Sequence, residues 1–257
     1  MATATTSTST RATTGAASDA EPFTGFSRAA IDFLAELAAN NERTWFQPRK
    51  ADYERLLKRP MEALCLALGE RFAAGGIPLV SDPARSPHRI YRDTRFASDK
   101  SPYKTHASAR FPWAGDNVDR GAGSDATSAA HDMGGPSGYF HLQPGEVYIG
   151  GGLWRPDPNW LGAWRVRVAG DPAAVHAVID DPAFVRTFGD IHGDSLKRMP
   201  TGYPPDHPEA LLLKLKDVTF GRRLSDAEAL SPELPDLLAE AFADAVPVLR
   251  LMASLDG

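Results

Sequence analysis

The chain carries one cysteine, Cys65, in 257 residues, which rules out an internal disulfide and every multi-cysteine zinc motif. A lone thiol fits a reducing compartment, and a cytoplasmic location is expected. Long apolar runs are also missing: no segment approaches the roughly 20 consecutive apolar residues of a membrane span, so no membrane partner is expected. There is no basic excess overall, since 28 Lys and Arg stand against 33 Asp and Glu for a formal charge of −5. No global field therefore draws the whole protein onto nucleic acid or anionic lipid. The run Gly150-Gly151-Gly152 lacks the Gly-Lys-Ser/Thr ending of a phosphate-cradling loop, and no Gly-x-Ser-x-Gly elbow supports a serine nucleophile. Residues 1–20 are almost all Ala, Thr, Ser and Gly with no aromatic residue, and read as a disordered tail.

What is present reads as helices around a short antiparallel sheet. Phe26, Ala30, Phe33, Leu34 and Leu37 follow helical spacing, and Asn40-Asn41 ends the run. A second helical stretch holds Trp45, Phe46, Tyr53 and Leu56-Leu57. Pro60 is then placed to break it and to start the helix of Met61 to Phe72, which Gly75-Gly76 closes. Cys65 falls on the apolar stripe of Met61, Leu64, Leu68 and Phe72, the position of a core residue.

Beyond the proline-rich link 78–87 the period changes to alternation. Arg89, Tyr91, Asp93 and Arg95 are predicted on one face of a strand, with Ile90, Arg92, Thr94 and Phe96 on the other. A second strand is predicted from Tyr103 to Phe111, and the two would form a hairpin around the loop 97–102. Residues 115–138 read as a flexible insertion. Tyr139 to Gln143, the turn Pro144-Gly145, and Glu146 to Ile149 form a further hairpin with Tyr139 and His141 on one face. The second half is mainly helical, with a strand expected near Lys216 to Phe220 and a last helix capped by Ser231, begun by Pro232 and kinked at Pro247. The fold class expected is α+β, a single domain over 21–257 with a mainly antiparallel sheet flanked by helices.

The chemistry is concentrated between Arg85 and Arg110, where seven basic and two acidic residues give +5 and leave the remainder at −10. Paired strands would gather Arg89, Asp93, Arg95, Lys104, His106 and Arg110 on one surface, joined by Tyr139 and His141. Guanidinium forks suit phosphate or carboxylate, and a carboxylate with imidazoles suits proton transfer. The same charges could instead form a solvated salt-bridge network of small energetic value. Arg92 is the anomaly, since strict alternation puts it on the apolar side. It would there meet a buried acid, with Asp99 the nearest in sequence, or bind an anion, or be turned outward by a bulge. His88, Asp93, His106 and His141 are types that ligate metals, but their spacing is not diagnostic, and no metal is assigned.

Asn40-Asn41 with Trp45-Phe46 and Tyr53, Arg92 to Phe96, Asp99 to His106, Tyr139 to Leu142, Gly150 to Trp154 with Pro156, and Leu196-Lys197-Arg198 before Pro200 and Gly202-Tyr203 together form a pattern. It resembles the conserved hypothetical family of domain of unknown function 2461. The resemblance covers roughly residues 23–215 and implies no assigned activity. It departs in carrying Thr201 where a basic residue is expected, and in a longer insertion over 115–138.

The function expected is an enzyme or binding protein for a phosphate- or carboxylate-bearing small molecule. Arg89, Arg92, Arg95, Lys100, Tyr103, Lys104 and His141 would bind it, and Asp93 with His106 would form the acid/base pair. The alternative is a non-catalytic module whose basic face docks nucleic acid or an acidic protein. Cofactor, reaction and oligomeric state do not follow from the sequence.

Overall fold

The structure is a computed structural model that describes residues 21–95, 97–114 and 135–255. The tail and nearly all of the predicted insertion lie outside these residues, as does Phe96. The first helix, α1 (Arg28–Ala39), starts where the Ser27 hydroxyl accepts a hydrogen bond from the Ala30 amide at 3.2 Å. It buries Ala30, Ile31, Phe33, Leu34 and Leu37, as its spacing requires. Asn40 ends it, and the Asn41 side chain then acts as a short strand, donating to the Tyr103 carbonyl at 2.9 Å and accepting from the Tyr103 amide at 3.0 Å.

Short helices α2 (Arg43–Phe46) and α3 (Lys50–Tyr53) lead to α4 (Arg59–Gly75). The expected break before Pro60 does not occur. The chain passes from α3 to α4 through a π-helical turn, Glu54–Lys58. Proline offers no N–H to the carbonyl four residues back, that of Leu56, and its ring crowds that group. Widening the preceding turn absorbs the mismatch without ending the helix. Gly76, at φ 62°, supplies the left-handed residue that closes α4.

The sheet has four antiparallel strands in sequence order: β1 (Ala107–Pro112), β2 (Ser137–Gln143), β3 (Glu146–Leu153) and β4 (Val218–Leu224). The β2–β3 hairpin forms as predicted, with Gly145 at φ 73° in the turn, although β2 reaches back to Ser137, inside the stretch read as insertion. Between β3 and β4 lie α5 (Pro158–Gly170), α6 (Pro172–Ile179), α7 (Pro182–Phe188) and the single-turn α8 (Ala210–Leu213). The first three of these begin at an Asp-Pro pair, in which Asp157, Asp171 or Asp181 caps the first turn and proline occupies its start. After β4, α9 (Asp226–Leu230) carries a reciprocal Ser225/Glu228 cap, and α10 (Leu234–Ala253) runs through Pro247. It starts at Leu234, later than the Ser231-Pro232 start expected, because those residues form a turn first.

One sheet face is apolar. Ala109, Phe111, Phe140, Leu142, Val147, Ile149 and Phe220 are buried on it. In one row across the sheet Phe111, Gly138, Gly151 and Phe220 are neighbours, so two phenylalanines flank two glycines. The notch admits Phe242 of α10, whose ring atoms lie 2.7 Å from where a Cβ on Gly138 would stand. Phe242 and Phe72 of α4 also pack edge-on against Phe111, which ties both helices to this face.

The predicted strand over Arg89–Phe96 is not a regular strand. Residues 86–92 do run antiparallel to 102–110, but in two registers. His88 N–H bonds the Ser108 carbonyl and Arg110 N–H the Ser86 carbonyl, while Arg92 N–H bonds the Pro102 carbonyl and Lys104 N–H the Ile90 carbonyl. The bridges Pro87↔Ala109 and Tyr91↔Tyr103 leave two surplus residues on the second side, so the chain bulges near Thr105 and His106. Beyond Arg92 the chain leaves the sheet, and the alternation read from residue types has no pleat to follow.

Candidate functional site: the polar face of the sheet

The opposite sheet face collects polar side chains from segments far apart in sequence. Strand register puts Ser108, His141, Tyr148 and Arg223 in one row, and Arg110, Tyr139, Gly150 and Gly221 in the next. His88 extends the first row by its pairing with Ser108, and His106 leads into β1 one side-chain repeat earlier, on the same side as Ser108. The bulge brings the His106 ring to 4.4 Å from that of His141, at an interplanar angle of 31°.

A hydrogen-bonded chain crosses this face. Gln143 Oε1 accepts from His141 Nε2 at 3.3 Å, which leaves Nδ1 to accept from the Tyr139 hydroxyl at 3.1 Å. Tyr139 is in turn bonded to Ser108, whose Oγ lies 3.0 Å from His88 Nδ1. Each member is thereby held in one orientation, with a consistent direction of donation from His88 to Gln143. The Arg110 guanidinium is fixed alongside, Nε on Ser137 Oγ at 3.0 Å and Nη2 on the Gly135 carbonyl at 2.9 Å.

The neighbouring Tyr148 lies flat on the sheet, its hydroxyl donating to the Phe220 carbonyl at 3.1 Å. Only glycine permits this at Gly221, where a Cβ would stand 1.9 Å from that hydroxyl. Gly150 faces the same phenol, and Gly152, at φ 108°, sits against the Val218 carbonyl. The triple-glycine run thus serves close backbone and ring approach.

The imidazoles are held neutral. Burial, followed by the charges of His141, Lys104 and His88, pushes His106 down to about 4. Burial lowers His141 as well, against the opposing pull of the Gln143 bond and Glu146. Two unit charges about 4 Å apart repel by about 4 kcal/mol at an effective dielectric near 20. The pair therefore accepts at most one proton near neutrality, and its titration belongs to both rings. Among the described residues no hydrogen bond reaches the His106 ring. Burial raises Tyr139 and Tyr148, so both phenols stay protonated donors.

The predicted site residues divide into two sets. His106 and His141 meet on the sheet face, and the Lys104 charge acts on His106. Asp93, expected as the acid/base partner of His106, instead takes the Arg95 guanidinium at 2.7 Å and the Arg95 amide at 3.1 Å, which hold its carboxyl down at about 2. No hydrogen bond or ion pair joins Asp93 to His106. The side chain of Arg95 is 78% exposed, and exposed Arg89 adds its charge near Asp93.

Arg92 is 29% exposed and not on an apolar face; it pairs with Asp99, which Ser101 also binds through hydroxyl and amide. These partners hold the Asp99 carboxyl far below its usual range. Lys100 donates to the Thr94 carbonyl at 2.9 Å. Tyr103, expected at the binding surface, is buried with its ring stacked 4.1 Å from Phe46. Cys65 is buried too, its thiol pushed up to about 12 by desolvation, which makes it inert.

Tyr148 and Gly221 escaped the sequence reading. The signal was there in the alternation of β3, which places Tyr148 with Glu146 opposite Val147 and Ile149. Two clefts of about 600 Å³ lie away from the imidazoles, one beside the π-helical turn between Phe23 and Pro83, the other around Asn41, Trp45 and Arg49. Among the described residues no group of three or more His, Cys, Asp or Glu is placed to hold a metal ion, and no helix is long and apolar enough to cross a membrane.

Neither a curated protein nor a solved structure matches the chain. The model of the conserved hypothetical protein family DUF2461 matches residues 29–250, and with that span covering most of its length the chain belongs to this family.

Proposed function

We propose that the protein binds a phosphate- or carboxylate-bearing small molecule on the polar face of its sheet. The observation that carries this reading is the His106–His141 pair, two partly exposed neutral imidazoles with ring centroids 4.4 Å apart, with the Lys104 charge acting on His106. Among the described residues Glu146 is the one acid whose charge bears on His141, and it also meets Arg223 at 3.6 Å. A face with cations, a neutral His106 imidazole and little negative charge favours an anion, since ammonium, guanidinium and ring N–H groups all donate to one.

On this reading His106 and His141 are also the groups that would give or take a proton, and His106 finds its partner in His141 instead of Asp93. Arg92, Arg95 and Lys100 shape the adjoining loop through their own contacts. The test is thermal stabilisation by a panel of sugar phosphates, nucleotides and carboxylates. Stabilisation that His106→Ala removes supports the reading, and no stabilisation by any member of the panel contradicts it.

A second reading, docking of single-stranded nucleic acid, is favoured by Tyr91, 46% exposed two residues from exposed Arg89. It requires oligonucleotide affinity that falls steeply with salt, because phosphate contacts release counterions.

A further inference from the structure

We propose that the sheet face selects a dianionic ligand, of the phosphate monoester type, over a monoanion of similar shape, and takes up one proton into the His106–His141 pair on binding. The inference rests on the anion-binding reading above and names the class of ligand that face would prefer.

The argument starts from which charges the pair can see. The His106 and His141 rings lie 4.4 Å apart, so each opposes protonation of the other. From the ribbon before β1 come Lys104, which adds positive charge, and the His88 imidazole, whose Nδ1 meets Ser108. β1 contributes Arg110 and neutral Ser108, and β2 contributes the Tyr139 phenol. From β3 come Glu146 and the Tyr148 phenol, and from β4 Arg223, which is paired with Glu146. The balance is positive, and the one acid in it already meets a cation.

A bound anion reverses the electrostatic condition that keeps the rings neutral. One negative charge offsets the existing positive groups, and a second remains to favour an imidazolium. Because the two rings are so close, the proton taken up is one and not two. His141 is the ring that receives it, since Gln143 and Glu146 both favour its charged form, while His106, with no hydrogen bond among the described residues, turns a ring nitrogen to the ligand. The Tyr139 hydroxyl, now facing a protonated His141 Nδ1, exchanges donor for acceptor. The reversal passes along the bonded chain to Ser108 and His88, so binding and protonation are coupled across the whole face.

The experiment is calorimetric titration of the full chain with phenyl phosphate, a dianion above its second pKa of roughly 6, and with benzenesulfonate, a tetrahedral monoanion on the same ring. Each is run at pH 7.5 in two buffers of different ionisation enthalpy, and the imidazole NMR signals are followed in parallel. We expect phenyl phosphate to bind at least roughly tenfold more tightly, the extra charge acting at short range, with uptake approaching one proton per site. His141→Gln should abolish that uptake and narrow the preference between the two probes. Equal affinity for the two probes, or binding without proton uptake, with the imidazole signals shifting in both cases, overturns the dianion inference and leaves the anion-binding reading standing. Absence of any imidazole shift with either probe overturns both.

Discussion

The loop carrying Arg92, Asp93, Arg95, Asp99 and Lys100 and the sheet face carrying His88, His106, Tyr139 and His141 adjoin in the chain, yet they treat their polar groups in opposite ways. In the loop each acid faces a guanidinium: Asp93 takes Arg95 and Asp99 takes Arg92, and the Lys100 ammonium is spent on a backbone carbonyl. The charges there hold the loop's shape and largely cancel. On the sheet face the imidazoles meet hydroxyls, an amide and each other, so their charge state is open to change.

A third arrangement marks the other extreme. His176 of α6 has Asp180 at 2.9 Å from one nitrogen and Glu209 at 2.9 Å from the other, which raises its pKa, whereas burial and neighbouring cations lower that of His106. Density of charge along a sequence is therefore a poor guide to where a ligand can act. What matters is whether the charges are already matched.

The largest expected effect comes from disturbing the floor of the sheet face. Gly221→Val places carbon where the Tyr148 phenol lies, and overpacking of this kind costs roughly 1–3 kcal/mol. A lowered melting temperature together with lost phenyl phosphate binding is expected, and an unchanged melting temperature would mean that Tyr148 does not lie there.

Next in size, His106→Ala should weaken phenyl phosphate binding by roughly 10- to 100-fold, about 1.4–2.8 kcal/mol, with little change in the melting temperature of a partly exposed side chain. Arg92→Ala should do the reverse. Its pairing with exposed Asp99 contributes at most about 1 kcal/mol to stability, and affinity should stay within about twofold. If Arg92→Ala abolished binding while His106→Ala did not, the roles of loop and face would be exchanged.

The smallest effect concerns His176. Its pKa is raised in the folded protein, so its stabilising contribution is complete below the unfolded value of roughly 6.5 and is lost as pH rises through the folded value. Melting temperatures of the wild type and His176→Gln should converge between pH 6 and pH 9 after differing by only about 1–2 °C at the acid end, as suits a partly exposed ion pair. A difference that grew with pH would show that the ring is not held as an imidazolium.

Much of the fold was legible because it is encoded locally. The stripe of α1, the Gly75-Gly76 stop and the Pro144-Gly145 hairpin turn each depend on residues a few positions apart. The strand over 89–96 was misread because alternation in residue type implies a pleat only where a partner maintains register, and the bulge near His106 shifts that register by two residues. Pro60 shows a related limit of local reading: a missing N–H need not stop a helix, because a widened turn also absorbs it.

Of the candidate site, Lys104, His106 and His141 were identified as chemically apt, and the Tyr139–His141 face was read correctly from the β2 alternation. The His106–His141 contact itself joins segments on either side of residues 115–134 and was invisible to any spacing rule. So was the fit of Tyr148 over Gly221, which depends on strands 73 positions apart in sequence.

The most direct test of the claim that the sheet face and not the charged loop receives the ligand is an imidazole and guanidinium nitrogen NMR titration of the full chain with phenyl phosphate at pH 7.5. The account predicts that the His106 and His141 ring signals move, with one ring passing to the protonated form, while the Arg92 and Arg95 side-chain signals keep their positions. Movement of the Arg92 and Arg95 signals with stationary His106 and His141 rings would contradict it.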